Sequence, residues 1–356
     1  MKTYQLGVMY GDGIGQEIVK ATLAVIKAAN KNELVKIELE VLPMGLTAIE
    51  QHGHPLPDQT KESLANKDGW IMGPHDSAAY PERFKDERNP SGELRHYFDL
   101  FANIRPSKSI NGIKGLVNDA DLIIYRENTE GYYPDRNMHE GVGEWMVTPD
   151  VAISTGVFTR KAIERIAHAA FKAALERRKQ VTIVHKANVI RLGTGLFKDV
   201  CLEVAKDYPE VEVNDFHVDA MAAHLVKRIA DFDIVVTENM FGDILSDLTG
   251  ELVGGLGLSP AINTNHTQAM AQAVHGSAPD IAEKGIANPV GIMLSSVMLL
   301  DWLGKKHQDD ELISLAERIE TAIFIALETG KTTPDLGGSE STESFSNIVI
   351  EHLNTN

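Results

Sequence analysis

The chain has 356 residues, of which 43% are hydrophobic, and a formal net charge of −17. This length can bury a large core and indicates two domains or one large α/β unit. The acidic balance argues against a nucleic-acid partner, because no basic excess is available to replace counterions. Because we see neither a bilayer-spanning apolar run nor a signal-peptide pattern, we expect a cytoplasmic protein with no membrane partner.

The single cysteine, Cys201, lies in an apolar run. One cysteine excludes an intrachain disulfide and any multi-cysteine zinc or iron–sulfur site. The apolar surroundings favour a buried core thiol over a nucleophile.

The N-terminal region predicts alternating strands and helices. A strand at 4–10 is followed by the glycine turn 11–15 and a helix at 16–29. The glycine spacing is not G-x-G-x-x-G, so it favours close packing of strand against helix over a dinucleotide fingerprint. Further strands are predicted at 36–43 and 69–74, and 75–92 is predicted to be a long loop, of a kind that often carries function.

Three arginines stand at the ends of predicted elements. Apolar residues in 93–106 recur at helical spacing and Arg95 falls off that face, whereas Arg105 precedes a proline that favours extended backbone. Arg126 follows the predicted strand 121–125. The three side chains could converge on carboxylates through bidentate hydrogen bonds, although each alone is typical of a surface salt bridge.

The middle of the chain predicts an extended arm from 138 to 158, then alternating helices and strands. Lys186 follows the strand 181–185 and Asp219 follows the strand 211–218. Polar groups at the ends of parallel strands are where an open α/β sheet builds its site.

Asp243 and Asp247 stand one turn apart on a predicted helix that follows the apolar strand 232–237. Two carboxylates at this spacing repel each other unless a cation lies between them. The pair therefore indicates either a solvated helix face or cap, or a cation site. Beyond it, the small-residue loop 275–282 suits a flat ligand, and helices are predicted at 289–303, 312–327 and 344–353.

Nine short segments together resemble the β-decarboxylating dehydrogenases, the isocitrate/isopropylmalate dehydrogenase family, from the first strand to the last helix. One such segment would mean little, but all of them in family order are very specific. They are GDGIG (11–15), DLFANIRP (99–106), RENTEG (126–131), HKAN (185–188), DAM (219–221), GDILSD (242–247), HGSAPDI (275–281), ANP (287–289) and DLGG (335–338).

The resemblance implies a two-domain α/β fold with a large central mixed sheet, which is not a Rossmann fold. A large cofactor-side domain would comprise 1–100 plus 256–356. A small dimerisation domain would comprise 101–255 and carry the arm at about 135–158. The implied assembly is a homodimer with shared active sites.

The resemblance also implies NAD-dependent, metal-requiring oxidative decarboxylation of a 3-substituted (2R)-malate. Mg²⁺ or Mn²⁺ would be held by Asp243, Asp247 and, from the second subunit, Asp219. The catalytic residues would be Tyr133 and, again from the second subunit, Lys186. The remaining implied contacts are to substrate (Arg95, Arg105, Arg126, Ser91 and Asn188) and to cofactor (His275, Gly276, Ser277, Ala278, Asp280, Ile281 and Asn288).

The cofactor implied is NAD, because Asp280 stands where the family accepts hydrogen bonds from the adenosine ribose hydroxyls. A 2′-phosphate would be repelled there. NADP-preferring relatives carry lysine and tyrosine at the places of Asp280 and Ile281.

The sequence indicates the C3 substituent of the substrate, its tail, less directly than it indicates the cofactor. Isopropylmalate enzymes place leucines where this chain has Ser91 and Gly92, and Asn89 with Ser91 exchanges the two residue types typical of isocitrate enzymes. With Arg88 nearby, a polar tail such as that of isocitrate or homoisocitrate is favoured. The segment DAMAAHLV looks more like the isopropylmalate branch, and the 75–89 loop matches no branch, so 3-isopropylmalate and tartrate/D-malate activities stay open.

Two further features bear on function. Gln272 departs from the glutamate usual in the family at that place. A non-catalytic regulatory subunit would usually lose a metal aspartate, the tyrosine or the lysine, and all of these are present. A phosphatase or transferase built on the aspartates would have no use for the HGSAPD loop or Tyr133.

Overall fold

The structure is a computed structural model that describes residues 2–31, 35–85, 87–139 and 141–355. Asp86 of the predicted loop and Glu140 of the predicted arm lie outside the described residues. The chain divides into two compact units. The first comprises Met1–Leu94, Ile110–Leu116 and Gly254–Asn356, and the second comprises Arg95–Ser109 and Val117–Val253. They differ from the predicted domains at 95–100, 110–116 and 254–255, and the domain boundaries stay a prediction.

The predicted α/β fold with a large mixed sheet, distinct from a Rossmann fold, is confirmed. Twelve strands lie within the described residues: β1 (Thr3–Met9), β2 (Lys36–Val41), β3 (Gly69–Met72), β4 (Ala102–Lys108), β5 (Asp121–Glu127), β6 (Glu144–Thr148), β7 (Val151–Ser154), β8 (Gln180–His185), β9 (Glu212–His217), β10 (Ile234–Thr237), β11 (Ile262–Thr264) and β12 (Ala269–Ala271). Ten of them belong to the main sheet, and β6 and β7 form a separate pair.

The helices alternate with these strands. In the described part of the chain they are α1 (Gly15–Ala29), α2 (Leu46–His52), α3 (Asp58–Ala65), α4 (Pro90–Tyr97), α5 (Arg160–Leu175), α6 (Gly193–Ala205), α7 (Val218–Arg228), α8 (Asn239–Val253), α9 (Val290–His307), α10 (Asp310–Glu328) and α11 (Thr342–Thr355). Side chains cap the starts of several of them: for example, Thr159 accepts a hydrogen bond from the Ala162 amide at α5, and Asp309 accepts one from the Leu312 amide at α10. No helix among the described residues has the length and apolar character needed to span a bilayer.

In the first unit the strand order is β2-β1-β3-β12-β11, parallel except for the antiparallel β11–β12 pair. Helix α1 buries Ile18, Val19, Val25 and Ile26, the apolar residues whose spacing predicts it. Helix α2 and the very short strands β11 and β12 are not predicted from the sequence. Such short elements bury too few residues to show a period.

In the second unit the order is β4-β5-β10-β8-β9, with β4 antiparallel to β5 and the other strands parallel. All four residues of β10 are buried, as is typical of a strand covered on both faces. Cys201 is fully buried in the core of this unit, and burial raises the pKa of its thiol, so the prediction of a core cysteine is confirmed.

Two local expectations change. The helical spacing in 93–106 does not continue as one helix, because α4 ends at Tyr97 and Ala102–Lys108 pairs with β5 along its whole length. Cross-strand pairing overrides the local pattern there. The predicted 75–92 loop contains two 3₁₀ turns, Ser77–Ala79 and Glu82–Phe84, and its last residues begin α4.

Candidate active site

Four parallel strands of the second unit end at the same edge of the sheet. Arg126 lies near the end of β5, and Lys186 follows β8 directly. Asp219 stands in the first turn of α7, directly after β9. Helix α8, which carries Asp243, follows β10. The strand order therefore collects at one edge the charged groups that the sequence places after strand ends.

Asp243 is the half-buried centre of a charged group whose arginines are buried. Its Oδ1 accepts hydrogen bonds from Arg126 and from Arg105 Nη1, the latter at 3.0 Å, and its Oδ2 accepts one from the Tyr133 hydroxyl at 2.5 Å. Burial alone would raise the pKa of Asp243, but Arg126 and Arg105 outweigh it and hold that pKa well below its usual range. Asp243 is therefore a carboxylate at any physiological pH.

Arg126 is fixed before any ligand binds. Its Nε and Nη2 donate to Asn239 Oδ1 at 2.9 and 2.7 Å, and the side chain is only 2% exposed. The side chain lies against Gly242, where an added Cβ would stand 2.6 Å from Arg126 Cγ. The glycine of the GDILSD segment thus gives the guanidinium its place beside Asp243.

Asp247 carries a carboxylate oxygen that accepts no hydrogen bond from any described residue. Its Oδ1 is buried, lies 3.5 Å from Arg105 Nη1, and makes no hydrogen bond within the described residues. Burial, opposed by Arg105, raises the pKa of Asp247. An unsatisfied carboxylate oxygen one turn from an ionised one fits a hard cation such as Mg²⁺ or Mn²⁺.

The third predicted metal aspartate, Asp219, is not grouped with Asp243 and Asp247 of the same chain. Asp219 Oδ1 accepts a hydrogen bond from Lys186 Nζ at 2.5 Å, in a pair whose aspartate is 69% exposed. Counting only residues that the structure describes, no three His, Cys, Asp or Glu side chains of one chain are grouped to hold a metal. The predicted set, which takes Asp219 and Lys186 from a second copy, stays a prediction.

The other predicted substrate residues fall into different surroundings. Arg95 is buried, and its pKa is lowered well below the usual value by burial and by the charges of Arg126, Arg136 and Arg105. Asn188 is exposed two residues after Lys186. In the first unit, Ser91 Oγ donates to Gln272 Oε1 at 2.9 Å. Ser91, which is predicted to contact the substrate tail, is therefore bonded to the glutamine that replaces the family's usual glutamate.

Arg136 is absent from the sequence-based prediction. It ends the 3₁₀ turn Pro134–Arg136, and its guanidinium lies 4.9 Å from the ring centre of Tyr133. No spacing or strand end marks it, so only the fold shows that it joins the other three arginines.

The first unit contains a pocket of about 610 Å³ with largely apolar walls. Five of the predicted cofactor residues line it, namely His275, Gly276, Ala278, Ile281 and Asn288. Of the other two, Asp280 is exposed, and Ser277 is buried with its carbonyl accepting from the Ile14 amide at 2.9 Å. His275 Nε2 is buried and makes no hydrogen bond to a described residue, which leaves a polar atom for a ligand. The pocket fits a flat, partly polar molecule.

Two more residues shape this pocket. Asp335, from the DLGG segment, accepts hydrogen bonds from Asn288 Nδ2 at 3.0 Å and from Thr333 Oγ1 at 2.5 Å. Gly13 has φ +54°, and an added Cβ would stand 2.1 Å from the Ser277 carbonyl oxygen. The glycine turn therefore packs closely against the HGSAPD loop, as the sequence reading of 11–15 favours.

Comparisons with known proteins agree with this geometry. The model of the isocitrate/isopropylmalate dehydrogenase family matches residues 5–349. The isocitrate/homoisocitrate dehydrogenase of Thermus thermophilus is 42% identical over 353 residues, which covers 98% of each chain. The 3-isopropylmalate dehydrogenase of Archaeoglobus fulgidus is 41% identical over 347 residues, covering 97% of this chain and 98% of that one.

A solved structure of the same family also matches the fold of this chain. The crystal structure of isocitrate dehydrogenase from Methylococcus capsulatus matches with a TM-score of 0.89 and 37% identity, and the match covers 98% of this chain and 99% of that one. Sequence, fold and site geometry therefore place this chain in the isocitrate/isopropylmalate dehydrogenase family.

Proposed function

We propose that the chain is an NAD-dependent, metal-requiring dehydrogenase that oxidatively decarboxylates a 3-substituted (2R)-malate, with a polar-tailed substrate such as isocitrate or homoisocitrate. The observation that carries the proposal is Asp243, an ionised carboxylate held by Arg105, Arg126 and the Tyr133 hydroxyl at the sheet edge. These are the residue types that acid–base chemistry on a carboxylic acid needs, within hydrogen-bond reach of one another.

The arginines would bind the two malate carboxylates. Arg105 Nε donates to Asn103 Oδ1 at 3.1 Å, and its Nη1 donates to Ser246 Oγ at 2.7 Å. Arg126 is held by Asn239. Guanidiniums fixed in this way lose little further conformational entropy when a carboxylate arrives.

Asp243 and Asp247 would hold the cation, with Asp219 from a second copy of the chain. When bound, a divalent cation supplies Lewis-acid polarisation of the 2-hydroxyl and offsets the negative charge that develops after decarboxylation. The buried Asp247 Oδ1 without a hydrogen-bond donor supports this assignment.

Lys186 and Tyr133 would move the protons. Lys186 would accept the proton of the 2-hydroxyl during its oxidation, for which NAD, when bound, would be the hydride acceptor. Tyr133 would protonate C3 after CO₂ has departed. Burial, together with Asp243 and against Arg126, raises the pKa of Tyr133, so the phenol holds its proton at neutral pH and is available as an acid. The hydrogen bond to Asp243 fixes the direction of the hydroxyl.

NAD would occupy the pocket lined by His275 and Asn288, with the exposed Asp280 available for the ribose hydroxyls. A second copy of the chain would complete the site with Lys186 and Asp219. The β6–β7 hairpin supports this dimer, because all its residues are exposed and they include Trp145, Met146 and Ile153.

The test is a substrate panel with NAD⁺ and Mn²⁺, following NADH: isocitrate, homoisocitrate, 3-isopropylmalate, D-malate and tartrate. We expect metal-dependent NADH formation, fastest with a polar-tailed member. Absence of turnover with every member would contradict the proposal, and a preference for 3-isopropylmalate or for tartrate would replace the polar-tailed substrate.

A further inference from the structure

Arg136 is a buried cation with hydrogen-bond donors that no described residue satisfies. Its side chain is 5% exposed, and Nε and Nη1 are buried with no hydrogen bond to any described residue. Asp135 forms a loose ion pair with this guanidinium, but its Oδ1 stands 3.9 Å from Nη1, which is too long for a hydrogen bond. A guanidinium in such a place is costly unless an anion reaches it.

Arg136 belongs to the same group as the candidate catalytic residues. Its guanidinium carbon lies 4.9 Å from the centre of the Tyr133 ring, and that of Arg126 lies 5.4 Å from the same centre. Its charge is among those that lower the pKa of Arg95. The unsatisfied donors are therefore next to the residue proposed to protonate C3.

The charge balance favours a third carboxylate. The group contains four guanidiniums, from Arg95, Arg105, Arg126 and Arg136, and three carboxylates, from Asp135, Asp243 and Asp247. The two carboxylates that every malate carries would exceed the single positive charge that remains on these side chains. The divalent cation of the proposed function adds positive charge again, which a further anionic group on the substrate would offset.

We propose that Arg136 is a specificity-determining residue whose guanidinium binds a carboxylate on the C3 substituent of the substrate. This inference rests on the proposed function and narrows it to malates with a third carboxylate. An apolar tail such as isopropyl would leave the guanidinium buried without an acceptor, and a substrate with no tail would leave its place to water.

The test compares wild type with Arg136→Met and Arg136→Lys, using isocitrate, homoisocitrate and D-malate with NAD⁺ and Mn²⁺. The methionine variant should lose about a hundredfold in kcat/KM for the better tricarboxylate, because a site built for a charged group discriminates strongly. For D-malate it should lose less than about threefold, since no tail contact exists to be lost. The lysine variant should be intermediate, because it keeps the charge without the planar fork.

Arg165→Met is the matched control. Its guanidinium also lies over a ring, 4.7 Å from the centre of Phe101, and it is held by Asp99 and Thr129 outside the arginine group. This variant should keep the wild-type ratio of kcat/KM between tricarboxylate and D-malate. An equal loss on both substrates in Arg136→Met would overturn the inference and assign Arg136 to the positioning of Tyr133.

A binding measurement separates failure of the inference from failure of the proposed function. Calorimetry with isocitrate and with D-malate, each with Mg²⁺, should show tighter binding of isocitrate by wild type and loss of that difference in Arg136→Met. Turnover of D-malate or 3-isopropylmalate in preference to any tricarboxylate would overturn the inference while the proposed function stands. If no substrate is turned over, the proposed function fails, and equal binding of the two acids by wild type would overturn the inference as well.

Discussion

The two candidate ligand regions are built on opposite principles. In the second unit, the group around Asp243 is made of charged side chains that bind one another, and their pKa values are shifted by burial and by mutual charge. In the first unit, the pocket beside His275 is made of glycine turns, backbone and apolar walls. The contrast teaches that substitutions in the first unit should change affinity, whereas those in the second should change the rate of the chemical step.

The largest effect is expected at Asp243. Asp243→Asn removes the ionised oxygen that faces two arginines, and kcat/KM should fall by about a thousandfold or more. Steady-state NADH formation measures this, and circular dichroism checks that the fold persists. Asp301→Asn, which removes a surface ion pair with Lys305 in α9, is the control and should keep full activity. Activity within tenfold of wild type would remove Asp243 from the metal site.

Complementation should restore part of this loss. Mixed and reassociated Asp243→Asn and Lys186→Met chains should recover about a quarter of wild-type activity, because half the dimers are mixed and each has one intact site. The readout is activity against mixing ratio. Each variant mixed with itself is the control. No recovery, with mixed dimers shown to form, would mean that Lys186 acts on the Asp243 group of its own chain.

A smaller, more selective effect is expected in the first unit. Asp280→Asn should weaken kcat/KM for NAD⁺ by about tenfold and leave kcat at saturating NAD⁺ almost unchanged, because only an affinity contact is altered. The measurement is the ratio of kcat/KM for NAD⁺ and NADP⁺, which should move toward NADP⁺. Glu283→Gln, a nearby exposed acid, should leave that ratio alone. If the ratio is unchanged in Asp280→Asn, Asp280 does not determine the preference for NAD⁺ over NADP⁺.

The smallest effect concerns pH and stability. Burial raises the pKa of Glu238 to about 7, although its carboxylate accepts from the Met240 and Phe241 amides at the start of α8. Between its ordinary pKa and about 7, the folded chain keeps a proton that the unfolded chain has released. The free energy of unfolding should therefore fall as the pH rises through this window, by at most on the order of 3 kcal/mol.

Glu238→Gln should flatten the dependence of Tm on pH between about 5 and 8 without abolishing it. Burial also raises the pKa of Glu130 to about 7, so part of the slope belongs to that group. Thermal unfolding at fixed ionic strength gives the comparison. Parallel curves for variant and wild type would show that Glu238 does not titrate in this window.

The sequence predicts the parts of the site that follow strand ends. Lys186 and the helix of Asp243 are predicted in place, because the buried parallel strands before them have an apolar pattern and a fixed carboxyl edge. Arg136 is not predicted, because a lone arginine in a 3₁₀ turn has no periodic neighbour. The 93–106 segment misleads for a different reason: its apolar spacing suits one helix, and only pairing with β5 makes the part from Ala102 onward a strand.

The exposed pair of Lys186 and Asp219 has a consequence for how the protein behaves on dilution. Under the shared-site proposal, Lys186 of a single copy does not serve the arginines and Asp243 of that same copy, so a separated subunit has no complete active site. Specific activity should therefore decrease on dilution as the subunits dissociate. It should recover with second-order kinetics when the subunits are concentrated again. The abundance of the chain in its cell would then govern whether turnover occurs at all, in addition to how much.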